Sequence, residues 1–98
     1  MAISVASVAV LIEMEEGRVQ KARIGLGAVA PTPIRAYGVE KLLVNQQITN
    51  ELVEKCGQRI REEIRPITDI RASLEYRKSV TSVILKRLLE QVSKRGNV

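Results

Sequence analysis

Two stretches of the chain gather the residue types that chemistry requires. In Pro66-Ile67-Thr68-Asp69-Ile70-Arg71-Ala72-Ser73-Leu74-Glu75-Tyr76-Arg77, an acid and a base stand in the turn between two helices, with a second arginine one turn further on. Such a segment suits an ion-paired helix start: Asp69 folds an Asx-type turn, Ser73 caps the helix, and Arg71 meets a nearby carboxylate or the preceding helix end. Gly25-Leu26-Gly27 resembles the opening of a dinucleotide loop, but Val29 and Ala30 follow where a third glycine is needed, and Pro31 and Pro33 replace the helix. It is not a phosphate loop.

The chain has no histidine, and Cys56 is its one cysteine, so no internal disulfide and no Cys/His metal cluster can form. Acid–base or nucleophilic work would fall to carboxylates, Lys, Tyr, Ser or Cys56, and neither a nucleophile elbow nor a Ser-x-x-Lys arrangement is present. No catalytic residue is assigned. Cys56 falls at helical spacing between Leu52 and Ile60, which favours a buried apolar role over a reactive thiol, and a reducing, cytoplasmic setting follows.

The net charge is +5, but bases alternate with acids, as in Arg61-Glu62-Glu63 and Glu75-Tyr76-Arg77-Lys78. Arg59, Arg61, Arg65, Lys78, Lys86 and Arg87 in the second half suggest a basic nucleic-acid-binding module. Single-strand recognition normally adds stacking aromatics, and only Tyr37 and Tyr76 are available. This is the runner-up reading. The apolar run Ala2 to Ile12 is too short to span a bilayer and has no positive leader, so no membrane association is expected.

The elements that must position these residues are legible from periodicity. Ile3 to Met14 reads as a strand with both faces at least partly covered, Glu15-Glu16-Gly17-Arg18 as a tight turn, and Val19 to about Val29 as the antiparallel partner. In that second strand Ala22, Ile24, Leu26, Ala28 and Ala30 form the core face, opposite Lys21, Arg23, Gly25 and Gly27. The glycines there either relieve twist or admit a close neighbour. Pro31 and Pro33 bend the chain into a short edge strand at Ile34-Arg35-Ala36.

Val39 to Val44 predicts a short helix. Thr49 caps a second, whose Leu52, Val53, Cys56, Ile60 and Ile64 recur at three- and four-residue spacing, and Pro66 stops it. A final helix, capped by Ser73, carries Leu74, Val80, Ile84, Leu88 and Val92 inward. Strands first and helices after imply an α+β fold: a three-stranded antiparallel sheet in the N-terminal half, packed on one face against a layer of about three helices. The 98 residues fit a single domain, 1–98, that buries roughly two-thirds of its unfolded surface.

Ile67 to Arg77 resembles a signature near the end of the FAD-binding (medium) subunits of molybdenum hydroxylases, the carbon monoxide dehydrogenase flavoprotein and xanthine dehydrogenase family. Ala22-Arg23-Ile24-Gly25-Leu26-Gly27-Ala28-Val29-Ala30-Pro31-Thr32-Pro33-Ile34-Arg35-Ala36 is similar to a second segment of that family, with Glu40 and Leu43 where it continues with a Glu and a Leu. Gly27-Ala28 departs from a frequent Gly-Gly.

The resemblance implies the C-terminal domain of such a subunit, a non-catalytic structural and assembly domain. By the same resemblance FAD is held by two preceding domains of the parent subunit, and iron–sulfur clusters and molybdopterin by partner subunits; no cofactor is bound by this domain alone. Asp69, Arg71, Ser73, Tyr76, Arg77 and Arg35 are the structural and interface candidates, the Asp69 to Arg77 segment serving as interaction surface or hinge. Two alternatives stay beside this reading: the nucleic-acid module, and a stand-alone weak flavin-binding domain using the Gly25/Gly27 face and Tyr37. An aliphatic sheet face left uncovered is expected to drive self-association, to a homodimer rather than a monomer.

Overall fold

The computed structural model describes residues 7–27, 33–64 and 71–96, with side chains in the last stretch from 74 to 94. Strand β1 (Ser7–Glu15), strand β2 (Arg18–Gly27) and strand β3 (Ile34–Arg35) precede helices α1 (Tyr37–Leu43), α2 (Asn50–Glu63) and α3 (Arg71–Gly96). The sheet is three-stranded and antiparallel in the order β1-β2-β3, so the fold is the α+β arrangement that the order of elements implies.

The β1–β2 turn is a two-residue loop in which both Glu16 (φ 53°) and Gly17 (φ 78°) are left-handed, matching the twist of the flanking strands. Glycine adopts this freely, whereas glutamate pays for a clash between its Cβ and the following carbonyl. Asn tolerates that region better, so Glu16→Asn is expected to raise the unfolding free energy by about 0.5–1 kcal/mol in a urea titration.

Just beyond the turn the register shifts: Glu13 pairs with Lys21 while Met14 pairs with Val19, leaving Gln20 over as a β-bulge. The bulge reverses side-chain parity. Val19 therefore joins Ala22, Ile24 and Leu26 on the buried face, although simple alternation puts it opposite them. The free side of β2 at Val19 is paired by the loop after α1: Val19 N donates to Gln46 O (2.9 Å) and Asn45 N to Val19 O (2.8 Å). Arg18 fastens the same loop through Nη1 to Asn45 O (2.9 Å).

In α2, Thr49 caps as its residue type requires, its Oγ1 accepting from Leu52 N (3.1 Å). Val53, Cys56, Gly57 and Ile60 then turn one stripe inward. Cys56 is wholly buried, and burial pushes its thiol up to about 11, so it behaves as a small apolar residue. Helix α1 has no side-chain cap of its own. Its second residue, Gly38, instead donates N–H to Glu63 Oε1 (2.6 Å) from the end of α2, in a space that any Cβ at Gly38 would fill.

Two expectations need correction. All three helices lie on one side of the sheet, so only the inward row of β1 (Val8, Val10, Ile12, Met14) is half-buried, and Ser7, Ala9, Leu11 and Glu13 are exposed. In α3 the fully inward positions are Thr81, Ser82, Leu85 and Leu89; Val80, Ile84, Leu88 and Val92 are only half-buried on its flank. The cause is the crossing with α2. Ser82 Oγ donates to Gly57 O of α2 (2.8 Å), and Thr81 Oγ1 donates within α3 to Arg77 O (2.7 Å), so both buried hydroxyls are satisfied.

Candidate functional site

The densest polar arrangement among the described residues joins β2, β3 and α1. Strand β3 pairs Arg35 with Gly25 and Ile34 with Leu26, and it is too short to serve the next amide along, that of Ile24. Glu40 serves it. Its position completes an i, i+3, i+4, i+7 stripe with Ala36, Val39 and Leu43, which turns a carboxylate into the core with 6% of its surface exposed.

Glu40 Oε2 accepts from Ile24 N (2.9 Å) and from Arg35 Nε (3.2 Å), while Oε1 accepts from Arg35 Nη2 (2.6 Å). This two-pronged pairing fixes the guanidinium plane. Burial opposes ionisation of Glu40. The hydrogen bonds from Arg35 and Ile24, with the charges of Arg35 and Arg23, outweigh that penalty and hold the carboxyl below its ordinary range. Arg35 then lies 4.4 Å from the centroid of the exposed Tyr37 ring, a cation–π contact.

Arg35 and Tyr37 stand at the border of the sheet face that no described helix covers. Cross-strand partners on that face are Ser7 with Gly27, Ala9 with Gly25, and Leu11 with Arg23, so small residues line one part and an apolar–cationic group the other. A Cβ built on Gly25 meets nothing within 4 Å. Two shallow depressions occupy the face, one by Leu11, Arg23 and Arg35, the other by Ser7, Gly27 and Ile34. The arrangement is a shallow, partly apolar surface.

The candidates singled out from sequence divide accordingly. Arg35 belongs to the cluster just described. Asp69 lies outside the described residues. Arg71 is already helical, which removes it from an inter-helix turn, and Ser73 falls within the first turn of α3, where a residue cannot be the N-cap. Arg71, Ala72 and Leu74 are good helix formers, and this carries the helix upstream of the serine. Tyr76 is 61% exposed, and Arg77 is half-buried on the same helix. Glu40 enters the sequence reading only as a family position; its signal is an acid on an otherwise apolar helical stripe.

Of the cations that suggest nucleic-acid binding, Arg59 pairs with Glu62 (2.7 Å) and Glu63 (3.7 Å), and Lys86 with Glu54 (3.5 Å). Arg61 donates to Ser79 (3.4 Å), and Arg65 lies outside the described residues. Interleaved acids thus pair with Arg59 and Lys86. Gly25 and Gly27 stand in regular strand pairs, so among the described residues they do not offer converging amides to a pyrophosphate. No group of three or more metal-ligating side chains occurs among the described residues.

Residues 1–92 match the family model described as the CO dehydrogenase flavoprotein C-terminal domain. The chain is 28% identical over 90 residues to the glyceraldehyde dehydrogenase medium chain of Sulfolobus acidocaldarius, covering 92% of this chain and 32% of that protein. It is 25% identical over 91 residues to the xanthine dehydrogenase FAD-binding subunit of Escherichia coli O157:H7, covering 93% of this chain and 31% of that one. Among solved structures, reconstituted CO dehydrogenase from Oligotropha carboxidovorans superposes with a TM-score of 0.81 at 32% identity, over 94% of this chain and 32% of the other. The chain spans about a third of the length of these relatives.

Proposed function

We propose, from the premise that this chain belongs to the CO dehydrogenase flavoprotein C-terminal domain family, that it is the non-catalytic assembly domain of an FAD-containing molybdenum hydroxylase. In this reading it is one domain, it works in the cytoplasm, and it supports the flavin-binding domains of the parent subunit. Iron–sulfur and molybdopterin subunits are its further partners. FAD is held by the parent subunit's other domains and supplies the electron transfer; this domain provides a rigid surface. No described helix is long and apolar enough to cross a membrane.

The observation that carries the reading is the uncovered sheet face. A three-stranded sheet normally needs both faces managed, and here one packs on helices while the other shows Ala9, Leu11 and Gly25 beside Arg23 and Arg35. Leu11 is 53% exposed. Such a face fits the flavin-binding portion that accompanies this domain in its relatives. Because a Cβ on Gly25 meets nothing within 4 Å among the described residues, Gly25→Trp directs its added bulk outward from this face. Its melting temperature is expected to stay at or above that of the unsubstituted chain, since tryptophan favours strands where glycine does not. Co-purification of a flavin-binding protein is expected to be lost. Undiminished recovery of that protein with the tryptophan variant would refute the use of this face.

A further inference from the structure

We infer that Arg23 is the anchor by which the open sheet face recognises its partner, seating a carboxylate of the flavin-binding portion of the parent subunit beside an apolar contact at Leu11. The inference rests on the assembly-domain reading and names the group that makes the face selective.

Two guanidinium groups share one carboxylate here. Arg23 and Arg35 line the same depression with Ala9, Leu11 and Gly25, and the charges of both act on Glu40. Arg35 takes that carboxylate, through Nε (3.2 Å) and Nη2 (2.6 Å). Arg23 keeps one hydrogen bond, from Nη1 to the neighbouring Ala22 O (2.9 Å), and among the described residues it pairs with no carboxylate. A guanidinium carries five N–H donors, so most of those on Arg23 stay unspent. Glu13, the other acid on this face, stands opposite Lys21 in the next pair along.

The surroundings of Arg23 decide the class of partner. Leu11 lies directly across from it, on the same side of the sheet, and is 53% exposed. Any body that covers Leu11 also strips water from Arg23, and a guanidinium buried beside apolar groups without an anion is strongly disfavoured. The covering surface must therefore bring an acid. A nucleic-acid backbone is read by several cations at once, whereas Lys21 faces Glu13 and Arg35 is held by Glu40, which leaves one unmatched guanidinium beside a leucine. A second copy laid face to face brings the same excess of positive charge. The flavin-binding portion is the remaining occupant: the chain spans 31% of the xanthine dehydrogenase FAD-binding subunit, so in that relative the larger part of the subunit is joined to this domain.

Titration of the chain with the flavin-binding protein that co-purifies with it tests the anchor. Arg23→Met keeps an apolar stem and removes the charge, and binding is expected to weaken at least about thirtyfold. Arg23→Lys keeps the charge beside Glu40 and loses the two-pronged geometry, so its affinity should fall between the two. Both variants should melt near the unsubstituted chain, because the side chain at position 23 is exposed and Glu40 retains Arg35. A methionine variant that binds as tightly as the unsubstituted chain would overturn the inference, as would a lysine variant that binds less tightly than methionine. If Gly25→Trp blocks binding while Arg23→Met does not, the anchor fails and the use of the face stands. If the unsubstituted chain recovers no flavin-binding protein, or the face joins two copies or nucleic acid instead, both fail together.

Discussion

Replacing Glu40 with alanine is expected to cost about 3 kcal/mol of unfolding free energy, because it removes the acceptor of a buried amide and the partner of a guanidinium at once. Ile24 N would have no acceptor, and β3 is too short to supply one. Glu40→Gln keeps an oxygen for that amide and loses the charge, so its cost should be smaller, about 1–2 kcal/mol. Tyr37 should become more mobile in both variants, since Arg35, which stacks on it, loses its fixed orientation.

The same residue gives stability a pH dependence. The folded-state pKa of Glu40 is depressed, so unfolding takes up a proton at this site at intermediate acidity. Its contribution is complete above the ordinary Glu value of about 4.3 and is lost as pH falls through the lower folded value. Urea titrations across that window should show a shallower acid-side decline for Glu40→Gln than for the unsubstituted chain. Equal slopes would mean that the carboxylate is not the group that titrates.

Leu85→Ala is expected to destabilise by about 2–5 kcal/mol, and Leu88→Ala, three residues along, by about 1 kcal/mol. Leu85 has no exposed surface and sits in the core with Leu89, whereas Leu88 keeps part of its side chain in solvent. Periodicity alone gives the opposite order, because it turns Val80, Ile84, Leu88 and Val92 inward. The pair of variants therefore distinguishes the two faces of α3, and guanidinium unfolding of both measures it.

That contrast shows where reading a sequence succeeds and where physics hides. The hairpin, the Thr49 cap and the inward stripe of α2 follow from alternation, turn chemistry and a 3.6-residue period, all local signals. The face of α3 does not, because Thr81 and Ser82 score as surface residues until Gly57 O and Arg77 O are seen to satisfy their hydroxyls. Val19 was displaced from its expected side by a one-residue bulge, which no composition rule marks. Glu40 became visible only when a two-residue β3 left one amide of β2 to be served. Arg35 was legible as part of a family segment, but its role as the link between Glu40 and Tyr37 depends on distances.

The open sheet face also follows from counting layers. Three helices on one side leave Ala9, Leu11, Gly25 and Arg23 on the other, and the apolar members of that set need a reason to be there. The most direct measurement is to recover the tagged chain from an extract of the cells that make it, identify what accompanies it by mass spectrometry, and record the visible spectrum of the eluate. An assembly domain predicts flavin-, iron–sulfur- and molybdopterin-binding subunits together with a yellow-brown colour. A colourless chain recovered alone, or with nucleic acid, would contradict it.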